Sequence, residues 1–157
     1  MVELLGAAEI RSLAAELDLR PTKKLGQNFV INPNTIRKIV AAAQLMHTDK
    51  VVEIGPGLGS LTLGLLEKVD QLTAIEFDEK LATRLATTLK QKAPESRCQI
   101  IHADAMGVTD LAFEPDALVA NLPYNISVPV ILHFLESFPS ISKVLVLVQA
   151  EVAARLV

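Results

Sequence analysis

The sequence has little of what marks secreted or membrane-spanning proteins. Its 157 residues include a single cysteine, Cys98, so no disulfide can form within the chain, which fits a reducing compartment. Apolar runs such as residues 144–148 are far shorter than the roughly 20 residues that span a bilayer. Glu3 and Glu9 stand near the start, where a secretory signal would have a basic segment before an apolar one. These absences predict a soluble, cytoplasmic protein with no membrane partner.

An overall excess of positive charge is also absent. The formal net charge is −3 at pH 7, so the whole-chain charge does not indicate nucleic-acid binding. Basic residues are nevertheless concentrated in one stretch, residues 19–40, which has five of them and no acidic residue. Such a stretch is either a solvated surface or a phosphate-binding patch. Under the second interpretation, Arg20, Lys23 and Lys24 are the candidates for RNA binding.

Metal-ligand spacing is missing as well. His47, His102 and His133 are widely separated, and no second cysteine stands near Cys98. Structural and catalytic metal sites draw their ligands from closely spaced histidines, cysteines or carboxylates. We therefore predict no metal site.

What the sequence does contain is a regular alternation of predicted strands and helices. Half of the residues are apolar, which is enough for one domain with a core. Helices are predicted at residues 3–18 and 33–43, from the cap Ser60 to about residue 69, after the cap Asp78, and from the cap Ser127 to about residue 137. Asn32 is the predicted cap of the second helix, and a further helix is predicted from residue 149 onward. A polar loop is predicted at residues 22–28. Strands are predicted at residues 50–54, 71–76, 98–102, 117–120 and 143–148. This order predicts an α/β fold with a parallel, doubly wound sheet, which binds ligands at the carboxyl ends of its strands.

A glycine-rich loop follows the first predicted strand. Residues 53–60 read EIGPGLGS, with glycine at Gly55, Gly57 and Gly59. Glycines permit a sharp turn and let a ligand approach the backbone at the start of a helix. The spacing G-x-G-x-G departs from the dinucleotide fingerprint, and Glu53 would repel a pyrophosphate while suiting a ligand with an ammonium and a sulfonium. The loop favours S-adenosylmethionine, with a dinucleotide or a purely structural turn as alternatives.

Acidic residues follow the second and third predicted strands. Glu76 ends the second strand, where a carboxylate can accept both ribose hydroxyls of either kind of nucleoside cofactor. Asp104 follows the third strand and is placed to accept an adenine amino group, with Ala105 leaving room for the ring. The alternative for Asp104 is a cap on the next turn.

A tetrapeptide after the fourth predicted strand carries the most specific chemistry. The side-chain carbonyl of Asn121 and the backbone carbonyl of Leu122 can accept both hydrogens of an exocyclic amine, which directs its lone pair toward a methyl donor. Pro123 fixes the turn and has no N–H to compete. Tyr124 offers a flat face for a flipped base. These four residues predict a catalytic motif for amine methylation, and the alternative is a buried turn.

Taken in order, these motifs resemble those of the KsgA-type rRNA adenine N6,N6-dimethyltransferases over essentially the whole chain. The resembling segments are residues 24–30 (KLGQNFV), 53–59, Glu76, Asp104, residues 121–127 (NLPYNIS) and residues 148–156 (VQAEVAARL).

The resemblance implies a Rossmann-like class I S-adenosylmethionine-dependent methyltransferase fold. It implies a cytoplasmic enzyme that dimethylates N6 of two adjacent adenines near the 3′ end of 16S rRNA. The implied cofactor is S-adenosylmethionine, and the implied partner is small-subunit rRNA in the immature 30S subunit. The cofactor contacts that it implies are Gln27, Asn28, the Val30 backbone, Gly55, Glu76, Asp104 and Asn121.

Members of this family are longer than the present chain. They add two strands, an aromatic-bearing loop near the target base and a small helical domain. Residues 1–157 are therefore expected to form one methyltransferase domain that is incomplete at its C-terminus and inactive alone. Three alternatives remain: a large-subunit rRNA adenine methyltransferase of antibiotic resistance, a non-catalytic RNA-binding assembly factor, and a dinucleotide oxidoreductase.

Overall fold

A computed structural model describes residues 2–17 and 32–147. Two helices come first, and the chain then alternates between strands and helices. The helices are α1 (Ala7–Glu16), α2 (Pro33–Ala42), α3 (Ser60–Leu66), α4 (Glu79–Lys92) and α5 (Tyr124–Ser137), with a short 3₁₀ helix at Ala105–Gly107. The strands are β1 (Lys50–Ile54), β2 (Gln71–Glu76), β3 (Arg97–His102), β4 (Ala117–Ala120) and β5 (Lys143–Val146).

The five strands form one parallel sheet in the order β3-β2-β1-β4-β5. The strand order reverses direction at β1, so the switch point lies between β1 and β4, where ligands of open α/β sheets bind. In register, Ile54 of β1 lies between Ile75 of β2 and Ala120 of β4. The segments after these three strands therefore meet at one edge of the sheet. The predicted parallel, doubly wound α/β sheet is confirmed.

Apolar residues cover both faces of the sheet, as in other parallel sheets with helices on each side. Alternate residues of β1 show this, because Val51 packs in a cluster with α1 to α4 while Val52 packs in a second cluster with α5. The first cluster brings α2 close to α3, since a Cβ on Gly64 would overlap the Ile36 side chain. Among the described residues, Phe134 is the largest side chain that is fully buried, and it packs α5 against the second cluster.

Several predicted boundaries are wrong, and local hydrogen bonding explains them. The first helix begins at Ala7, because Gly6 is extended and the Glu3 N–H bonds to the carbonyl of Lys92, the last residue of α4, at 2.8 Å. Ser60 is not the cap of α3. The cap is Gly59, whose backbone is in the left-handed conformation, and Ser60 is the first residue of the helix. Nor does Ser127 cap α5, since the helix starts at Tyr124 and Ser127 is buried within it.

Other predicted boundaries differ by a few residues or agree. Helix α3 ends at Leu66, β3 starts one residue early at Arg97, and β5 ends at Val146. The predicted caps at Asn32 and Asp78 are confirmed: each accepts a backbone N–H of its helix, from Asn34 at 2.8 Å and from Leu81 at 3.1 Å. The predicted polar loop at residues 22–28 and the helix predicted after residue 149 lie outside the described residues.

Candidate functional site

The glycine loop adopts a backbone that only glycine adopts easily. Gly55, Gly57 and Gly59 have φ values of 75°, 57° and 101°, all in the region that side chains disfavour. A Cβ on Gly55 would lie 2.7 Å from Leu122 Cδ2 and 2.9 Å from the Asn121 carbonyl oxygen. The loop after β1 and the tetrapeptide after β4 are therefore in direct contact, with no room for a side chain between them.

Glu76 ties the end of β2 to the glycine loop. Its Oε1 accepts a hydrogen bond from the Gly57 N–H at 3.0 Å, and its Oε2 accepts one from the Asp78 N–H at 2.9 Å. The side chain is only 6% exposed. Because each carboxylate oxygen has two lone pairs, both oxygens keep acceptor capacity for a ligand. The carboxylate is thus held at the edge of the sheet in a fixed orientation.

Glu53 lies beneath the glycine loop and is fully buried. Its Oε1 accepts a hydrogen bond from the Thr62 hydroxyl of α3 at 2.6 Å, while Oε2 has no partner among the described residues. Burial raises the pKa of Glu53 to about 8, although the Thr62 bond opposes this and nearby Glu76 adds to it. The carboxyl is therefore mainly protonated at neutral pH.

This charge state corrects the expectation that Glu53 presents a negative charge to the ligand. The structure instead buries a neutral acid whose hydrogen bond is to the Thr62 hydroxyl. The preference for S-adenosylmethionine over a dinucleotide then rests on the loop spacing and the tetrapeptide. A direct contact between Glu53 and the cofactor remains a prediction.

Asp104 stands at the carboxyl end of β3 and is exposed. Its Oδ1 accepts from the Met106 N–H at 3.0 Å, which makes it the cap of the 3₁₀ helix. The capping role that the sequence left open is therefore present. Oδ2 has no hydrogen-bond partner within residues 2–17 and 32–147, so capping and adenine recognition are compatible.

The tetrapeptide runs from the end of β4 into α5. Asn121 is 8% exposed, and its N–H donates to the Ile54 carbonyl at 3.1 Å, which continues the pairing of β1 with β4. Pro123 precedes the first residue of α5, Tyr124, and its carbonyl accepts from Ser127 N–H at 2.9 Å. Asn121 and Leu122 are thereby fixed beside Gly55. The proposed stacking role of Tyr124 remains a prediction.

Two exposed apolar side chains at this edge were missed by the sequence reasoning. Phe77 directly follows Glu76 and is 72% exposed, while Met106 follows Asp104 closely and is 45% exposed. Large apolar side chains that stay exposed beside polar ligand-binding candidates are typical of binding surfaces. An aromatic residue directly after a strand-ending acid was the signal that could have identified Phe77.

The structure thus brings together most, but not all, of the predicted site. Ten predicted residues lie at the carboxyl edge of the sheet: Glu53, Gly55, Gly57, Gly59, Glu76, Asp104, Asn121, Leu122, Pro123 and Tyr124. The remaining predicted contacts lie outside the described residues, namely Arg20, Lys23, Lys24, Gln27, Asn28 and Val30. No helix within residues 2–17 and 32–147 is long and apolar enough to cross a membrane.

The fold is that of the Rossmann-like class I S-adenosylmethionine-dependent methyltransferases. Two solved structures share it over most of the chain. A dimethyladenosine transferase from Plasmodium falciparum is 28% identical with a TM-score of 0.66, over 80% of this chain and 44% of that one. The 23S rRNA methyltransferase ErmE is 31% identical with a TM-score of 0.68, over 80% of this chain and 49% of that one.

Sequence relatives narrow the class to one family. A profile of the family described as ribosomal RNA adenine dimethylase matches residues 19–157, and the chain belongs to this family. The ribosomal RNA small subunit methyltransferase A of Corynebacterium glutamicum is 59% identical over 158 residues, which cover 98% of this chain and 54% of the relative. The chain therefore spans about half the length of the curated relatives it matches.

Proposed function

We propose that the protein transfers methyl groups from S-adenosylmethionine to N6 of two adjacent adenines near the 3′ end of 16S rRNA. It does so in the cytoplasm during ribosome biogenesis, on the immature 30S subunit. Family membership and the 59% identity to a small-subunit rRNA methyltransferase support this assignment. One structural observation carries it: Asn121 and Leu122 pack directly against Gly55, which joins the amine-handling tetrapeptide to the cofactor loop.

The residues at the sheet edge fit an adenosyl cofactor. Both oxygens of Glu76 keep acceptor capacity beside their backbone bonds, and Oδ2 of Asp104 has no partner among the described residues. We assign the ribose hydroxyls to Glu76, the adenine amino group to Asp104 and a face of the adenine ring to Phe77, which is 72% exposed. When bound, S-adenosylmethionine supplies a methyl group on a positively charged sulfur. Gln27, Asn28 and the Val30 backbone are the remaining cofactor contacts in this proposal.

The chemistry assigned to this chain is the positioning of the target amine. The lone pair of adenine N6 is delocalised into the ring, which makes the nitrogen a poor nucleophile. The Asn121 side-chain oxygen and the Leu122 carbonyl accept its two hydrogens and turn the lone pair toward the methyl carbon. The bound cofactor would supply the methyl group and would leave as S-adenosylhomocysteine, and the surplus proton on N6 would pass to water. Tyr124 holds the flipped base by stacking.

Target choice is tested by a methyl-transfer assay with the protein at the length of its relatives. Immature 30S subunits and 23S rRNA are offered separately, and methylated nucleosides are identified by mass spectrometry after digestion. We expect N6,N6-dimethyladenosine in 16S rRNA and none in 23S rRNA. Methylation confined to 23S rRNA would assign the protein to the type of activity named for ErmE. Binding without methylation of either RNA would support an assembly factor instead.

A further inference from the structure

The peptide group that joins Phe77 to Asp78 is held at both ends. Its N–H, which belongs to Asp78, donates to Oε2 of Glu76 at 2.9 Å. Its carbonyl, which belongs to Phe77, lies 3.1 Å from Nε2 of His102 at the end of β3. A backbone carbonyl can only accept, so Nε2 of His102 carries the proton and donates it. One imidazole and one carboxylate therefore fix the plane of a single peptide.

This arrangement links His102 to the glycine loop through Glu76. Accepting a hydrogen bond at a peptide carbonyl polarises the N–H of the same peptide and makes it a better donor. The His102 bond therefore strengthens the Asp78 N–H bond to Oε2, while the other oxygen of Glu76 accepts from Gly57 at 3.0 Å. The result is one continuous chain of bonds from His102 through the peptide and the carboxylate to Gly57.

The stability of the fold does not require the His102 side chain. His102 is exposed, and Phe77 is 72% exposed, so no core packing depends on their contact. The pairing of β2 with β3 is made by backbone groups, including the Ala103 N–H to the Glu76 carbonyl at 3.1 Å. A substitution of His102 leaves these bonds in place. Its effect is therefore confined to the peptide and the carboxylate that the imidazole orients.

We infer that His102 is a positioning residue for the cofactor site, which orients the Glu76 carboxylate through the Phe77–Asp78 peptide. The inference rests on the proposed function, because it takes Glu76 as the acceptor of the ribose hydroxyls. His102 itself touches no reacting atom. Its role is to fix the carboxylate before the cofactor arrives, so that less freedom is lost on binding.

The first experiment measures binding of S-adenosylhomocysteine to the 157-residue chain by calorimetry. His102→Ala removes the donor and should weaken affinity about three- to tenfold, the range expected for one hydrogen bond of this kind. His102→Gln can still donate an amide N–H to the Phe77 carbonyl and should restore most of the affinity. His47→Ala is the matched control, since His47 is exposed and precedes the amino end of β1.

The second experiment needs no ligand and follows backbone amide resonances of the chain by NMR. His102→Ala should move the Asp78 and Gly57 amide protons upfield and speed their exchange, because both donate to Glu76. His47→Ala should leave both signals unchanged. A melting temperature within a few degrees of the parent chain would show that the variant is folded.

The outcomes separate the inference from the proposed function. If the parent chain does not bind S-adenosylhomocysteine, the proposed cofactor is wrong, while the amide shifts still test the positioning of Glu76. If the parent chain binds and His102→Ala binds equally well, the inference is wrong and the proposed function stands. Unmoved Asp78 and Gly57 amides, or a loss that His102→Gln does not restore, also overturn the inference.

Discussion

The two edges of the sheet are built on different principles. At the amino edge, the Lys143 ammonium bonds to Asp49 at 2.8 Å and to the Gln44 carbonyl at 2.9 Å, and the Asp116 carboxylate accepts from the Lys50 N–H at 2.8 Å. At the carboxyl edge, glycines are held in left-handed conformations, and Glu53 Oε2 has no partner among the described residues.

The two edges differ because only the carboxyl edge carries the candidate site. The amino edge pairs its polar groups with one another, which stabilises the connection between α2, β1 and β5. The carboxyl edge keeps an exposed aromatic side chain and a buried acid with one oxygen that has no partner among the described residues, and both cost stability in the absence of a ligand. Substitutions at the carboxyl edge should therefore weaken binding or turnover, or stabilise the ligand-free chain. Substitutions at the amino edge should lower stability without affecting binding.

The largest expected effect is on turnover. Asn121→Ala, in the protein at the length of its relatives, should lower the methylation rate by ~100-fold or more, as for the loss of one transition-state hydrogen bond. RNA binding should change little, because Asn121 is assigned to the amine alone. Single-turnover methylation and a filter-binding assay measure the two quantities. Turnover within a factor of three of the parent would show that Asn121 does not orient the amine.

The next largest effect is on cofactor affinity. Glu76→Ala removes the charged acceptor assigned to the ribose and the bond to the Gly57 N–H, so affinity for S-adenosylhomocysteine should fall by about 30-fold or more. Calorimetry on the 157-residue chain measures it. Glu79→Ala is a nearby control, since Glu79 is an exposed acid in the first turn of α4. Equal affinities for the parent and Glu76→Ala would remove Glu76 from the site.

A pH-dependent effect on stability is expected at Glu53. Its pKa rises from the ordinary 4.5 to about 8 on folding, so between these values the folded chain holds a proton that the unfolded chain releases. The free energy of unfolding should therefore fall as pH rises from about 4.5 to about 8 and level off above.

Glu53→Gln tests this, since the amide cannot ionise and can still accept from Thr62. Relative to the parent, the variant should gain up to about 4 kcal/mol of stability as the pH rises from 5 to 9. Urea unfolding at several pH values measures the difference, with the exposed Glu95→Gln as control. Parallel curves for the parent and Glu53→Gln would mean that Glu53 is ionised in the folded chain.

The smallest effect is expected at the amino edge. Lys143→Met removes a partly exposed ion pair with Asp49 and should lower the free energy of unfolding by about 0.5–1 kcal/mol. Affinity for S-adenosylhomocysteine should not change, because Lys143 lies at the opposite end of β5 from the site. The comparison between the two edges fails if this variant weakens cofactor binding as strongly as Glu76→Ala does.

Local patterns were enough to predict the strands and the order of the site residues along the chain. The β-branched run of β1, the loop glycines and the acid that ends β2 follow from backbone sterics and from alternation along the chain. The caps at Asn32 and Asp78 followed for the same reason, since a cap bonds only a few residues away. Because parallel strands place their carboxyl ends together, the grouping of the motifs at one edge also followed from strand order.

Tertiary structure decided what depends on neighbours that are distant in sequence. Serine is a residue type that often caps helices, but Pro123 is the N-cap of α5, and Ser127 is buried inside the helix. A glutamate beside a ligand loop is expected to be charged, but packing beneath α3 removes Glu53 from water and raises its pKa. The bond from His102 to the Phe77 carbonyl spans 25 residues, and only the pairing of β2 with β3 brings the two together. Burial and long-range hydrogen bonds depend on the assembled sheet, and so no local pattern in the sequence could have indicated them.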